Sequence, residues 1–208
     1  MNDLTDPERE IGVGPWAGPW PEGDHYDPQL LAEGDRRNVE DQYRYWTREA
    51  IQAAIADRAL GYEIAIENLG HDFNIGSIVR TANALGASRV HIVGRRRWNR
   101  RGAMVTDRYL PVDHFPEVGP FVEDARRRGR VLIGIDNLPG SQPLEHADLP
   151  QNSTLVFGEE SAGLSEAMRE ACDRIHHITQ YGSTRSMNVG HAAAIAMWAW
   201  VLQHGPST

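Results

Sequence analysis

Three short polar blocks stand where apolar runs of this 208-residue chain give way to loops or helices, and they hold the residue types with chemistry to offer. The first is Asn68-Leu-Gly-His-Asp-Phe-Asn74-Ile-Gly-Ser-Ile-Val-Arg80 and the second Val156-Phe-Gly158-Glu-Glu160-Ser-Ala-Gly163-Leu-Ser165. The third is Ile178-Thr-Gln-Tyr-Gly182-Ser-Thr-Arg-Ser186-Met-Asn188. α/β proteins build ligand and catalytic sites at such strand ends. In the first block Asn74 takes the capping position of a helix and Arg80 projects from its second turn, where a fixed guanidinium beside the positive end of a helix can grip a phosphate. In the second, glycines at both ends of the loop let the backbone approach a ligand, and a carboxylate from Glu159 or Glu160 can hold a ribose or fix an arginine. The third ends at Ser186-Met187-Asn188, ahead of a helix whose small residues permit tight packing against a neighbour. Singly, each has an ordinary structural explanation: a plain cap, a surface arginine, a solvated turn. Together they point to one active site.

The elements that must position these blocks follow from the apolar periodicity. Strands are predicted at 62–66, 89–93, 131–135, 154–157 and 175–178, and helices at 74–86, 117–128, 164–171 and 188–203. That alternation calls for an α/β domain with a mostly parallel sheet and helices on both faces. Ile75, Ile78, Val79, Ala82 and Leu85 form the inward stripe of the first of these helices, and Ser165 caps the third. Ahead of this domain, predicted to span 61–208, residues 1–37 are rich in Gly, Pro, Trp and acid and show no helical or strand period, which reads as an irregular arm. Trp16, Trp20 and Tyr26 are costly to leave in water and suit packing along the domain or a partner subunit. Residues 38–59 read as a helix with Asn38 as N-cap and Gly61 closing its end.

The net charge of −8 argues against a polyanionic partner until its distribution is considered. Residues 1–60 hold 13 Asp/Glu against 6 Arg, whereas the remainder holds 16 against 15. Every Lys/Arg-type cation is Arg, the side chain suited to bidentate phosphate contacts and stacking on bases. Arg95, Arg96 and Arg97 with Arg100 and Arg101 directly follow a strand and flank Trp98, a composition suited to RNA backbone and base contact. The second cluster, Arg126, Arg127, Arg128 and Arg130, lies on a helix just before a strand and fits a solvated surface equally well.

Other classes are set aside on simple grounds. No apolar run approaches the roughly 20 residues of a membrane span, and the acidic start lacks a secretory pattern, so a cytoplasmic protein without a membrane partner is expected. The single Cys172 excludes an internal disulfide and a thiolate metal cluster. His176 and His177 are adjacent on a strand and point to opposite faces, so no metal is expected. A nicotinamide-dependent oxidoreductase would fit the strand–helix alternation, but no Gly-x-Gly-x-x-Gly follows the first strand of the domain, and Gly12-Val-Gly lies in the arm.

The three blocks, in this order, resemble the signature motifs of the SpoU/TrmH family of RNA ribose methyltransferases, of the SPOUT class, over roughly residues 62–204. The resemblance implies methyl transfer from S-adenosylmethionine to a ribose 2′-hydroxyl of a tRNA or rRNA. It also implies a C-terminal trefoil knot and a homodimer with the last helix at or near its interface. The family's motif residues fall on Asn74, Arg80, Glu160, Ser186 and Asn188, and its cofactor contacts on Ile135, Gly158, Ile178 and Met187. Two departures stand out: the third motif usually begins Ile-Pro-Met and continues Asn-Val-Ser, whereas this chain reads Ile178-Thr-Gln180 and Asn188-Val-Gly190. Arg80 corresponds to the family's base, yet a guanidinium stays protonated to above about pH 12. It either loses its proton transiently with help from an RNA phosphate and Ser186, or clamps that phosphate and polarises the hydroxyl while solvent takes the proton; the clamp is favoured. A catalytically silent RNA-binding relative is the alternative, and retention of all five motif residues argues against it.

Overall fold

Near-continuous apolar runs in the central strands require a partner layer on both sides of a sheet, and the computed structural model, which describes residues 12–68, 74–159 and 162–206, supplies both. The strands are β1 (Glu63–Asn68), β2 (Arg89–Gly94), β3 (Val112–Phe115), β4 (Val131–Ile135), β5 (Gln142–Pro143), β6 (Ser153–Phe157) and β7 (Arg174–His177). They form one sheet in the order β3-β2-β1-β6-β4-β7-β5. Every pairing is parallel, with Glu63 opposite Arg89 and Thr154, and Ile135 opposite Phe157 and His176. The helices are α1 (Pro28–Glu33), α2 (Arg48–Arg58), α3 (Ile75–Ala84), α4 (Val118–Arg127), α5 (Glu166–Ala171) and α6 (Val189–His204).

The two faces of the sheet carry separate cores. Ile64, Ile66, Ile133, Ile135, Leu155 and Phe157 point to one side, where α3 contributes Ile78 and Val79 and α6 contributes Ala196 and Trp200. The residues between them, Ala65, Leu132 and Val156, point to the other, against Phe121 of α4 and Met168 of α5. The alternation read from the sequence is thus a doubly covered parallel sheet, and the five strands and four helices expected of the domain are all present. β3 and β5 were not expected: β3 is a polar edge strand of four residues, and β5 has only two. Among the described residues no helix is long and apolar enough to cross a membrane.

The chain divides into two compact units, Met1–Ala54 and Ile55–Thr208. The first corrects two expectations. Residues 28–33 form a helix inside the supposed irregular arm, because Asp27 accepts from the Gln29 and Leu30 amides and Pro28 starts the turn. The helix expected over 38–59 does not begin at Asn38. A single 3₁₀ turn (Asp41–Tyr43) is followed by Tyr45 at φ 63, and the α-helix starts at Arg48 and ends at Arg58, short of Gly61. The cause is Asp35, fully buried, whose carboxylate takes the Tyr45 amide at 2.9 Å and the Arg37 guanidinium at 2.7 and 2.9 Å, bending the chain where a helix would continue. Thr47 then caps α2 by accepting from the Ala50 amide at 3.2 Å. Around this bend Trp16 meets Tyr45 edge-on and Tyr43 and His25 contact Trp46.

The second arginine cluster belongs to the scaffold. Arg128 and Arg130 converge on buried Glu63, which also bonds His91 (3.0 Å) and Thr154 (3.3 Å), and Arg126 binds Asp173 at 2.7 Å. Burial alone would raise the Glu63 pKa; bonds from His91 and Arg128 and the charge of Arg130 outweigh it and hold the carboxyl at about 2.

Candidate active site

The polar blocks lie at the carboxyl ends of β1, β6 and β7, where a parallel sheet offers its crevice. A cavity of about 270 Å³ opens there. Ile135, Gly158, Ile178 and Met187, the four positions expected to hold a cofactor, all line it, as does Ser186. Its remaining polar wall includes Asp136, Glu159, Gln180 and Arg185. A smaller cavity shares Gly158, Glu159 and Val189 with the first and is closed by Asn74 and Ile75 of the first block and by Glu67 of β1. Segments around 74, 158 and 186 therefore abut one another.

One side-chain bond ties the first block to the third across 114 positions: Asn188 Nδ2 donates to Asn74 Oδ1 at 3.0 Å. The same Asn188 caps α6, its Oδ1 accepting from the Gly190 and His191 amides at 2.9 and 3.3 Å. Asn74 sits at the N-cap position of α3, as expected, but its side chain caps no amide of that helix; its oxygen is committed to Asn188, and its backbone is already helical (φ −96, ψ −14). Ser77 Oγ lies 3.1 Å from where a Gly190 Cβ would sit, so the departure from Asn-Val-Ser at this position admits the Ser77 hydroxyl. Arg80, one turn beyond Ser77 on the exposed stripe of α3, makes no ion pair among the described residues and lines neither cavity. Glu160, expected in the site, lies outside the described residues.

The second block is held by contacts that spacing alone did not single out. Ser165 caps α5 as expected, accepting from Met168, and its own amide and hydroxyl donate to buried Glu67 at 2.8 and 2.7 Å. Asp136 Oδ2 takes the Leu164 amide at 2.9 Å. Glu159 and Gly163 exchange backbone bonds of 3.0 and 2.7 Å, and this brings Gly163 so near that a Cβ on Gly158 would lie 2.0 Å from its carbonyl carbon. Only glycine fits there. Glu67 and Asp136 sit at strand ends, the one signal that marked them; their partners are 98 and 28 residues away.

The cavity wall departs from Ile-Pro-Met in a legible way: Gln180 lines it, and the Thr179 amide, which a proline would lack, donates to Glu145 at 3.0 Å. His176 is buried and His177 Nδ1 bonds Ser141 Oγ at 2.9 Å. Burial pushes the Cys172 thiol up to about 12, so it stays protonated and is no nucleophile.

Arg95, Arg96, Arg97, Arg100 and Arg101 are all exposed on the segment after β2. Asn68, buried at the end of β1, moors this segment: its Nδ2 donates to the Arg95 and Arg97 carbonyls at 2.7 and 2.9 Å.

Residues 61–198 match the family model described as the SpoU rRNA Methylase family. The chain belongs to that family. A 23S rRNA (uridine(2479)-2′-O)-methyltransferase of Streptomyces viridochromogenes is 35% identical over 143 residues, 62% of this chain and 48% of that protein. A tRNA (guanosine(18)-2′-O)-methyltransferase of Saccharomyces cerevisiae is 26% identical over 138 residues, 63% of this chain and 10% of that one. Among solved structures, the SpoU methyltransferase AviRb from Streptomyces viridochromogenes in complex with the cofactor AdoMet aligns with a TM-score of 0.62 and 30% identity, over 69% of this chain and 61% of that one. The chain spans about half the length, or less, of the curated SpoU relatives it matches.

Proposed function

We propose that this chain transfers a methyl group from S-adenosylmethionine to a ribose 2′-hydroxyl of a tRNA or rRNA. The observation that carries the proposal is the meeting of all three motif blocks at two abutting cavities joined by the Asn188–Asn74 bond. The larger cavity fits the cofactor in kind: Ile135, Ile178 and Met187 offer an apolar wall for an adenine, while Asp136 and Glu159 supply carboxylates for a cationic ligand. Its backbone cradle at Gly158 would be filled by any Cβ. When bound, the cofactor supplies an electrophilic methyl group on a sulfonium.

The chain's own residues do the rest. The Asn188–Asn74 pair fixes the start of α6 against α3 and so sets the spacing between Ser186 and the exposed stripe carrying Arg80. Arg80 clamps an RNA phosphate and polarises the 2′-hydroxyl, whose proton passes to solvent as its oxygen takes the methyl group and the bond to sulfur breaks, and Glu160 is the second block's contribution. Alignment of hydroxyl and methyl donor is the main source of acceleration, since a ribose hydroxyl is a poor nucleophile until held in line.

A homodimer completes this proposal. Ile195, Trp198 and Leu202, spaced three and four residues apart on α6, are 43%, 52% and 68% exposed, an apolar stripe that a second copy would cover. We assign the catalytic domain to 61–208, the knot of the family to its C-terminal part, and the protein to the cytoplasm. Titration calorimetry tests the cofactor assignment: S-adenosylmethionine binds and NAD does not. Binding of NAD alone would return the chain to the oxidoreductases.

A further inference from the structure

We propose that a separate cavity, at the β3 edge of the sheet, holds one unpaired nucleotide of the RNA, with its base against Trp98 and its phosphate on Arg96. The proposal rests on RNA being the substrate and adds which state of the RNA is recognised. The cavity has a volume of about 330 Å³, within the range of small-ligand sites, and shares no residue with the cofactor cavity. Its lining is largely polar, with the half-buried indole of Trp98, which also packs against the core, beside Val112 and His114 of β3. Its rim carries Arg96 and Arg100.

Three features make the chemistry that of a nucleotide. The Arg100 guanidinium lies over the Trp98 ring, 5.4 Å from its centroid, and indole and guanidinium are both groups on which any base stacks. Arg96 is exposed and has no acidic partner among the described residues, which leaves it available to a phosphate. The one carboxylate on the rim, Asp113, is engaged by Arg89 and does not oppose an anion.

The position is equally specific. Asn68 holds the carbonyls of Arg95 and Arg97 on one side of Trp98. On the other, the Asn99 carbonyl and the Ala103 amide lie 2.9 and 2.8 Å from where a Gly76 Cβ would sit on α3. The segment is thereby moored at both ends to the β1–α3 unit that bears Asn74 and Arg80. A nucleotide near the methylated ribose would reach this cavity only if its base were free of a helix, because bases stacked in a duplex present no face to an indole. The substrate class is therefore a loop or single-stranded segment.

The test uses the full chain and two probes, a fluorescein-labelled single-stranded RNA of about 12 nucleotides and the same strand annealed to its complement, titrated by anisotropy across a salt series. Trp98→Ala should bind the single strand roughly 5- to 150-fold more weakly with its salt slope unchanged, while duplex binding stays as in the wild type. Trp98→Phe should keep most of the affinity. Arg96→Ala should lower the slope by about 0.7, the signature of one phosphate contact to a single strand. Unchanged single-strand affinity in Trp98→Ala, or equal loss on both probes, would overturn the proposal. Should Trp98→Ala lose S-adenosylmethionine binding, and with it the fold, the Arg96→Ala slope decides, an unchanged slope counting against the site. A wild-type chain that methylates RNA while these variants bind normally sinks this site alone; a wild type that binds neither RNA nor cofactor sinks the function proposed above as well.

Discussion

Asn188 serves two structures at once, and the two can be separated by a pair of substitutions. Asn188→Ala removes the cap on α6, worth about 0.5–2 kcal/mol, and the bond to Asn74, worth about 0.5–1.5 kcal/mol. Together that is about 1–3.5 kcal/mol, or a fall of roughly 2–14 °C in melting temperature for a chain of this size. Asn188→Asp keeps an oxygen for the Gly190 and His191 amides and adds a charge that the helix N-terminus favours by about 0.3–1 kcal/mol. It loses the donor facing Asn74 Oδ1 and sets oxygen against oxygen. Its stability should lie within about 1 kcal/mol of the wild type, yet its methyl transfer should fall as far as that of Asn188→Ala. Differential scanning calorimetry and a methyl-transfer assay on the same preparations read both quantities. An active Asn188→Asp, or an Asn188→Ala that melts with the wild type, would refute the double role.

Arg80→Ala should abolish methyl transfer while calorimetry shows cofactor affinity nearly intact, because Arg80 lines neither cavity. Gly158→Ala should cost about 1–3 kcal/mol and weaken S-adenosylmethionine binding at least tenfold, since the new Cβ meets backbone at 2.0 Å; wild-type affinity would show that the loop yields freely. Glu63 has a folded-state pKa of about 2, below its ordinary 4.5, so its ionised form contributes stability above pH 4.5 that is lost as pH falls through 2. The contribution is on the order of 3 kcal/mol, and urea melts at pH 7 and near pH 3 should show the gap between wild type and Glu63→Gln narrowing with acid. A gap independent of pH would mean that the ionised carboxylate is not what Arg128 and His91 stabilise.

The domain was legible in the sequence where burial is periodic. β1, β2, β4 and β6 have apolar centres closed on both faces, and α3 and α6 carry continuous inward stripes. β3 was not legible because Val112-Asp-His-Phe is an edge strand with one neighbour, and neither its length nor its polarity marks it. The first unit went wrong because one polar contact overrode local propensity: Asp35 seizing the Tyr45 amide bends the first part of a segment whose composition is helical throughout, and the helix starts only at Arg48. In the site, residue types at strand ends pointed to Gly158, Ser186 and Asn188. Contacts that no local spacing encodes remained out of reach, among them Glu67 gripping Ser165, Asp136 holding Leu164, and Asn188 taking the oxygen that Asn74 would otherwise offer to its own helix.

The most direct test of the central claim is chemical. The purified chain is incubated with S-adenosylmethionine labelled in its methyl group and with total RNA, and the RNA is hydrolysed completely in alkali. A methylated 2′-oxygen cannot attack the adjoining phosphate, so label on ribose survives in alkali-stable dinucleotides, and that is the result expected. Label recovered only in mononucleotides would place the methyl group on a base and contradict ribose methylation by this site.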